Sequence, residues 1–98
     1  MFPKNDKRRL YQIMEMFLSG KMSATSFCDD FYYSYDLEID YDSLTSLEKI
    51  NFQNLSEVAG RFSEFKEDHE NYPGVFYTER ELYQKVLETK ENLKDYNL

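Results

Sequence analysis

The chain predicts an all-α fold, an antiparallel four-helix bundle, and three observations carry that expectation. Apolar residues recur at three- and four-residue spacing in four separate stretches. Residues that start and stop helices bracket those stretches. The connections between them are short, as an up-and-down arrangement requires. A chain of 98 residues buries one core, so residues 1–98 are taken as a single domain.

The first helix follows from Leu10, Ile13, Met14, Phe17 and Leu18, which line one helical face, and Gly20 stops it. Ser23 is placed to cap the second, in which Ala24, Phe27, Cys28, Phe31 and Tyr35 repeat the spacing with Asp29 and Asp30 between them. That helix is expected to end near Ser34. The next stretch, DLEIDYD, alternates strictly, with Asp36, Glu38, Asp40 and Asp42 on one side and Leu37, Ile39 and Tyr41 on the other. No second segment alternates to pair with it, and a lone strand is not stable. An extended connection with its apolar side laid on the bundle is the expectation.

Leu44, Leu47 and Ile50, then Leu55, Val58, Ala59 and Phe62, predict a long third helix with an irregularity around Asn51 to Asn54. Gly60 within it costs up to about 1 kcal/mol relative to Ala; close packing and a tolerated surface glycine explain it equally well. After a loop containing Tyr72, Pro73 and Gly74, the run TERE sets Thr78 at a helix start with Glu81 three residues on, a reciprocal capping pair. Leu82, Val86 and Leu93, flanked by Tyr83 and Leu87, form the apolar stripe of this fourth helix, and Lys90 and Lys94 near its end suit the helix dipole.

Composition narrows the function. The formal charge of -7 disfavours nucleic acid and anionic lipid as direct partners and favours basic surfaces. Nine Tyr and eight Phe supply more apolar area than an acidic disordered tail contains. A single cysteine, Cys28, rules out an internal disulfide framework and a thiol cluster for zinc. Glu15 interrupts the apolar run near the start and no small-residue cleavage pattern follows, so neither a signal peptide nor a membrane span is predicted. The expected location is the cytoplasm.

Enzyme grammar is missing. His69 lies among Glu67, Asp68 and Glu70 with no partner His or Cys in sight, and is expected to be a solvated loop residue. The DLEIDYD stretch fails as a calcium loop. With Asp36 first, Tyr41 stands where Gly is needed and Leu47 where a bidentate Glu is needed; starting at Glu38 puts Lys49 in the twelfth place. Carboxylate pairs arise by chance among so many acids, and no glycine-rich phosphate loop is present. No catalytic, cofactor-binding or metal-ligating residue is assigned.

The acids are segregated. No Lys or Arg stands between Lys21 and Lys49, while Asp29, Asp30, Asp36, Glu38, Asp40, Asp42 and Glu48 all do. From Glu64 to Glu81, Lys66 and Arg80 face Glu64, Glu67, Asp68, Glu70, Glu79 and Glu81. These two acidic connections are expected at opposite ends of helix three. In the first, successive acids on an extended chain would stand about 6.6 Å apart, a ladder like a nucleic-acid backbone. A solvated face explains any one acid; segregation of the whole set focuses a field toward a basic partner. In FYYSY, Phe31 and Tyr35 share a helical face, so Tyr32 and Tyr33 point elsewhere, and exposed tyrosine suits an interface. Tyr11 and Tyr83 fit half-buried rings with hydroxyls in water.

Two stretches, FLSGKMSATSFCDDF from Phe17 to Phe31 and VAGRFSEFKEDHENYPGVFYTERELYQKVLE from Val58 to Glu88, resemble the colicin D immunity-like family, including immunity proteins of contact-dependent growth inhibition systems. The resemblance spans nearly the whole chain. Its most specific parts are FLSGK-x-S/T between helices one and two, A-x-RF at the end of helix three, and NYPG-x-F/Y-YTE-E leading into helix four. It implies a small helical bundle that binds its cognate nuclease toxin one to one and blocks the active site, with acids standing in for substrate phosphates. Toxins of such pairs are commonly RNases that cleave tRNA near the anticodon, and their clefts are basic because RNA is anionic.

By position, the resemblance makes Glu57, Glu64, Glu67, Asp68 and Glu70, with Tyr72 alongside, the toxin contact. The place before Arg61 and Phe62, often acidic in relatives, is Gly60 here. The charge is then expected from Glu57, Glu64 or the ladder of Asp36, Glu38, Asp40 and Asp42. The expected function is a stoichiometric, non-catalytic inhibitor of a nuclease bacteriocin or contact-dependent toxin. The alternative is an acidic helical regulator or DNA mimic acting on another nucleic-acid-binding protein.

Overall fold

The computed structural model describes residues 1–94. Over this range the protein is mostly helical, with no strand among the described residues. Helix α1 spans Arg8–Leu18, α2 Ala24–Phe31, α3 Ser46–Gly60, α4 Lys66–Asn71 and α5 Glu79–Leu93. None of them is long and apolar enough to cross a membrane.

The stop and start residues act as their chemistry dictates. Gly20 adopts a φ of 81° after α1, and the N–H groups of Gly20 and Lys21 donate to the Phe17 and Met16 carbonyls at 3.1 and 2.8 Å. Only glycine takes that backbone geometry without strain. Ser23 accepts from the Ser26 N–H at the start of α2. Both α3 and α5 open on a complete capping box: Thr45 with Glu48, and Thr78 with Glu81.

The apolar stripes meet in one core of Leu10, Ile13, Met14, Phe17, Phe27, Phe31, Phe52, Leu55, Leu82, Val86 and Leu93, with Ala24, Leu44 and Val58 at its margins. Through it runs an aromatic column, Phe17 to Phe27 to Phe31 to Tyr35, with ring centroids 5.1, 5.7 and 5.3 Å apart. Helix α3 packs chiefly on α5, and α1 lies against both α2 and α5. Polar bridges tie the helices: Asn92 donates to Asn51 across α5 and α3, and Lys90 pairs with Glu15 across α5 and α1.

Several local expectations are overturned. The chain does not become extended after α2. Tyr32–Glu38 continues as a π-helical segment, closed by the Ile39 N–H donating to the Ser34 carbonyl at 2.8 Å. The physical reason is the aromatic column: with Tyr35 stacked on Phe31 one turn back, packing carries helical geometry past the alternating acids. Leu37 and Tyr41 are exposed and only Ile39 is half-buried, so the apolar side does not lie on the bundle. A short 3-10 turn, Tyr41–Ser43, then leads into α3.

Helix α3 has no break near Asn51. That side chain is buried, yet it donates to the Leu47 carbonyl and accepts from Asn92, which satisfies it within the helix. Ile50, assigned to the apolar face, is 60% exposed, and Phe52 takes the buried place instead.

Candidate protein-binding groove

Beyond α3 the chain makes an excursion and returns. Its base is stapled by two backbone hydrogen bonds, Ser63 N–H to the Tyr77 carbonyl at 3.0 Å and Tyr77 N–H to the Arg61 carbonyl at 2.7 Å. Within it lies α4, in place of the loop that the sequence predicts around His69. Ser63 organises the first turn: its hydroxyl donates to Asp68 at 2.5 Å and accepts from the Phe65 N–H. His69 is no idle solvated residue, because its Nε2 lies 2.9 Å from the Ser63 carbonyl and must carry the proton to donate there. Phe76 packs edge-on against both His69 and Tyr72.

The excursion closes one side of a groove of about 420 Å³. The other side comes from α2 and its π-helical continuation, through Asp29, Tyr32, Tyr33 and Asp36, and the end of α3 completes it with Ser56, Ala59 and Gly60. Phe31, Phe62 and Phe76 make much of the lining apolar, while Asp29, Asp36, Glu64 and Asp68 supply four carboxylates. Among the described residues no Lys or Arg lines it. The four carboxylates face one concave space whose apolar walls concentrate their field, and the Lys4 ammonium over the Tyr33 ring is a cation beside it.

Of the first acidic connection only Asp36 leaves the start of α3, where Asp40 and Asp42 remain, opposite the end at which the second begins. Because the first continues as helix, Asp36 is carried alongside α3, where it meets Glu64 and Asp68 of the second. Burial raises the carboxyl of Asp36 above its ordinary value, and a hydrogen bond from Ser56 opposes that rise. Of the neighbours Asp29 and Asp30, only Asp29 reaches the groove; Asp30 pairs with Arg9 at 3.8 Å.

The remaining expected contact residues lie outside. Glu38 and Asp42 are exposed without forming a ladder, and Asp40 caps the 3-10 turn by accepting from the Asp42 N–H. Glu57 is exposed on α3 but does not line the groove. Glu67 is exposed on α4, Glu70 pairs with Lys66 there, and the exposed Tyr72 leans on Phe76. Glu48 leaves the acidic surface altogether: it is buried, as described below. Sequence reasoning missed Phe65 and Phe76 as groove residues, and the signal for Phe65 was present, an aromatic between Glu64 and Lys66 with no place in any helical stripe.

Gly60 also lines this space, and a Cβ built on it would meet nothing within 4 Å. Close packing is thus not its reason; the glycine leaves the groove open. Cys28 is a poor nucleophile: burial, and then the charge of Asp29, push its thiol up to about 12. The carboxylates do not converge on a point either, for no three His, Cys, Asp or Glu side chains among the described residues are placed to hold a metal ion.

Comparison with protein families, characterised proteins and solved structures finds no match for this chain.

Proposed function

We propose that the protein is an immunity-type inhibitor, which binds a cationic nuclease toxin one to one and keeps RNA from its active site. The single observation that supports this most is the groove in which Asp29, Asp36, Glu64 and Asp68 face one space with no Lys or Arg among them. A nuclease that binds RNA presents Lys and Arg around its cleft. A projecting basic segment at that cleft would fit the groove, with exposed Glu57, Glu67 and Tyr72 flanking the contact. Occupancy would withdraw the cations from the RNA phosphates and cover the cleft.

The resemblance in FLSGKMS, AGRF and NYPGVFYTERE supports the same function, and takes α1, α2, α3 and α5 as the four helices of an antiparallel bundle. A duplex-mimicking regulator would instead need its charges on a convex surface at phosphate spacing. The four groove carboxylates surround a concavity, which favours the inhibitor.

Co-purification with the product of the gene immediately upstream, followed by a tRNA-cleavage assay, tests the proposal. Saturating inhibition at one equivalent, in the cytoplasmic setting expected of an immunity partner, supports it. Full cleavage in the presence of excess protein refutes it.

A further inference from the structure

We infer that the groove is a seat for arginine: the partner's bound side chain is a guanidinium, held between the aromatic rings of Tyr32 and Phe65 and the groove carboxylates, and lysine is a poor substitute. The inference rests on the groove being the partner-facing surface and adds to it the chemistry of what enters.

Two features distinguish this groove from a merely acidic surface. First, its lips are aromatic. Tyr32, on the α2 side, is 51% exposed, and Phe65, on the excursion, is 63% exposed, although exposed aromatics of that size gain nothing from water. Neither ring belongs to the core cluster. Second, the space between them is lined largely by apolar side chains, with the carboxylates Asp29, Asp36 and Glu64 around it.

These demands select between the two basic residues. A guanidinium is planar and weakly hydrated, stacks on aromatic faces, and offers paired N–H groups to a carboxylate. An ammonium is a compact, strongly hydrated point charge, and the apolar lining would strip its water without replacing it. The neighbouring Tyr33 already shows how these rings draw cations, since the Lys4 ammonium lies 5.2 Å from its centroid. Tyr32 stands edge-on to Tyr33 at 5.8 Å, which fixes its ring without covering it.

Three synthetic peptides test this on the whole protein without any toxin: acetyl-Gly-Arg-Gly-Arg-Gly-amide, its lysine counterpart and its citrulline counterpart, titrated by NMR. The arginine peptide is expected to bind about fivefold tighter than the lysine peptide, to shift amide signals around Tyr32, Gly60 and Phe65, and to lose binding when citrulline removes its charge. The double variant Tyr32→Ala, Phe65→Ala, both exposed positions, should abolish the preference for arginine, and Asp42→Asn should leave it intact. Equal affinity for arginine and lysine, a preference that survives in the aromatic double variant, shifts confined to another face, or no binding by any peptide each overturns the inference. Nuclease inhibition without arginine preference strikes down the seat and spares the inhibitor; arginine preference without inhibition does the reverse.

Discussion

Glu48 accepts a hydrogen bond from the Tyr11 hydroxyl at 2.5 Å, and this contact joins α3 to α1 inside the protein. Lys7 Nζ and the Thr45 N–H complete the carboxylate's shell at 3.0 and 2.8 Å, so the residue at the third position of the capping box also locks two helices together. Glu48 is 0% exposed. Burial alone would raise its carboxyl, but the bonds from Thr45, Tyr11 and Lys7 outweigh that and hold it below the ordinary value. Replacing Glu48 with Ala removes a cap and strands the Tyr11 hydroxyl, at a cost of about 2 kcal/mol. Thermal unfolding should show the midpoint lowered by about 10 °C.

The same carboxylate makes the fold sensitive to acid. A folded value below 4.5 means that Glu48 contributes stability above that pH, and the contribution disappears as pH falls through the folded value. Chemical denaturation of the wild type between pH 6 and pH 3 is expected to show this loss. Glu48→Gln, which cannot titrate, should show a flatter profile from a lower starting stability.

At the alkaline end the sign reverses. Tyr11 is pushed above the ordinary 10.0 by burial and then by Glu48, and Tyr35 is raised mainly by burial. Their protonated forms are favoured by the fold, so the associated stability is present below pH 10 and lost as pH rises. In an absorbance titration of tyrosinate, Tyr11 should ionise only together with unfolding.

Charge reversal should separate the groove from the rest of the acidic surface. Asp29→Lys with Glu64→Lys, both lining the groove, should shorten the lifetime of the toxin complex by an order of magnitude or more, roughly what like charges in contact cost. Asp40→Lys with Asp42→Lys lies outside it and should mainly slow association, by up to about tenfold at low salt. Stopped-flow rates at two salt concentrations measure both, and equal effects on lifetime would move the site elsewhere.

Gly60 offers a test that leaves charge alone. Ala there meets open space and should stabilise the protein by about 0.5 kcal/mol. Tyr at the same place would fill the groove and should weaken the complex tenfold or more through steric exclusion. Comparison of denaturation midpoints with toxin titrations distinguishes the two effects.

The helices were legible wherever local chemistry decides the outcome. Leu10, Ile13, Met14 and Phe17 announce α1 by spacing, and Thr78 with Glu81 announces the start of α5 by capping. Thr45 and Glu48 repeat that capping pattern in TSLE, so the start of α3 was readable as well. What no local pattern reveals is that Glu48 meets Tyr11 from far along the chain. The π-helical segment was missed because alternating acids look the same in an isolated stretch whether or not Tyr35 can stack on Phe31. The groove was half legible: acids at Asp36, Glu64 and Asp68 were singled out, yet their meeting depends on that same unforeseen helical continuation.

The staple between Ser63 and Tyr77 gives the excursion it closes an unusual freedom. The two hydrogen bonds that pin it run from backbone to backbone, so the closure does not depend on which side chains stand at the exposed positions between them, such as Glu64, Phe65, Glu67 and Glu70. Under the proposed function, the excursion is one jaw of the groove, and its sequence at those positions is free to change on a constant scaffold.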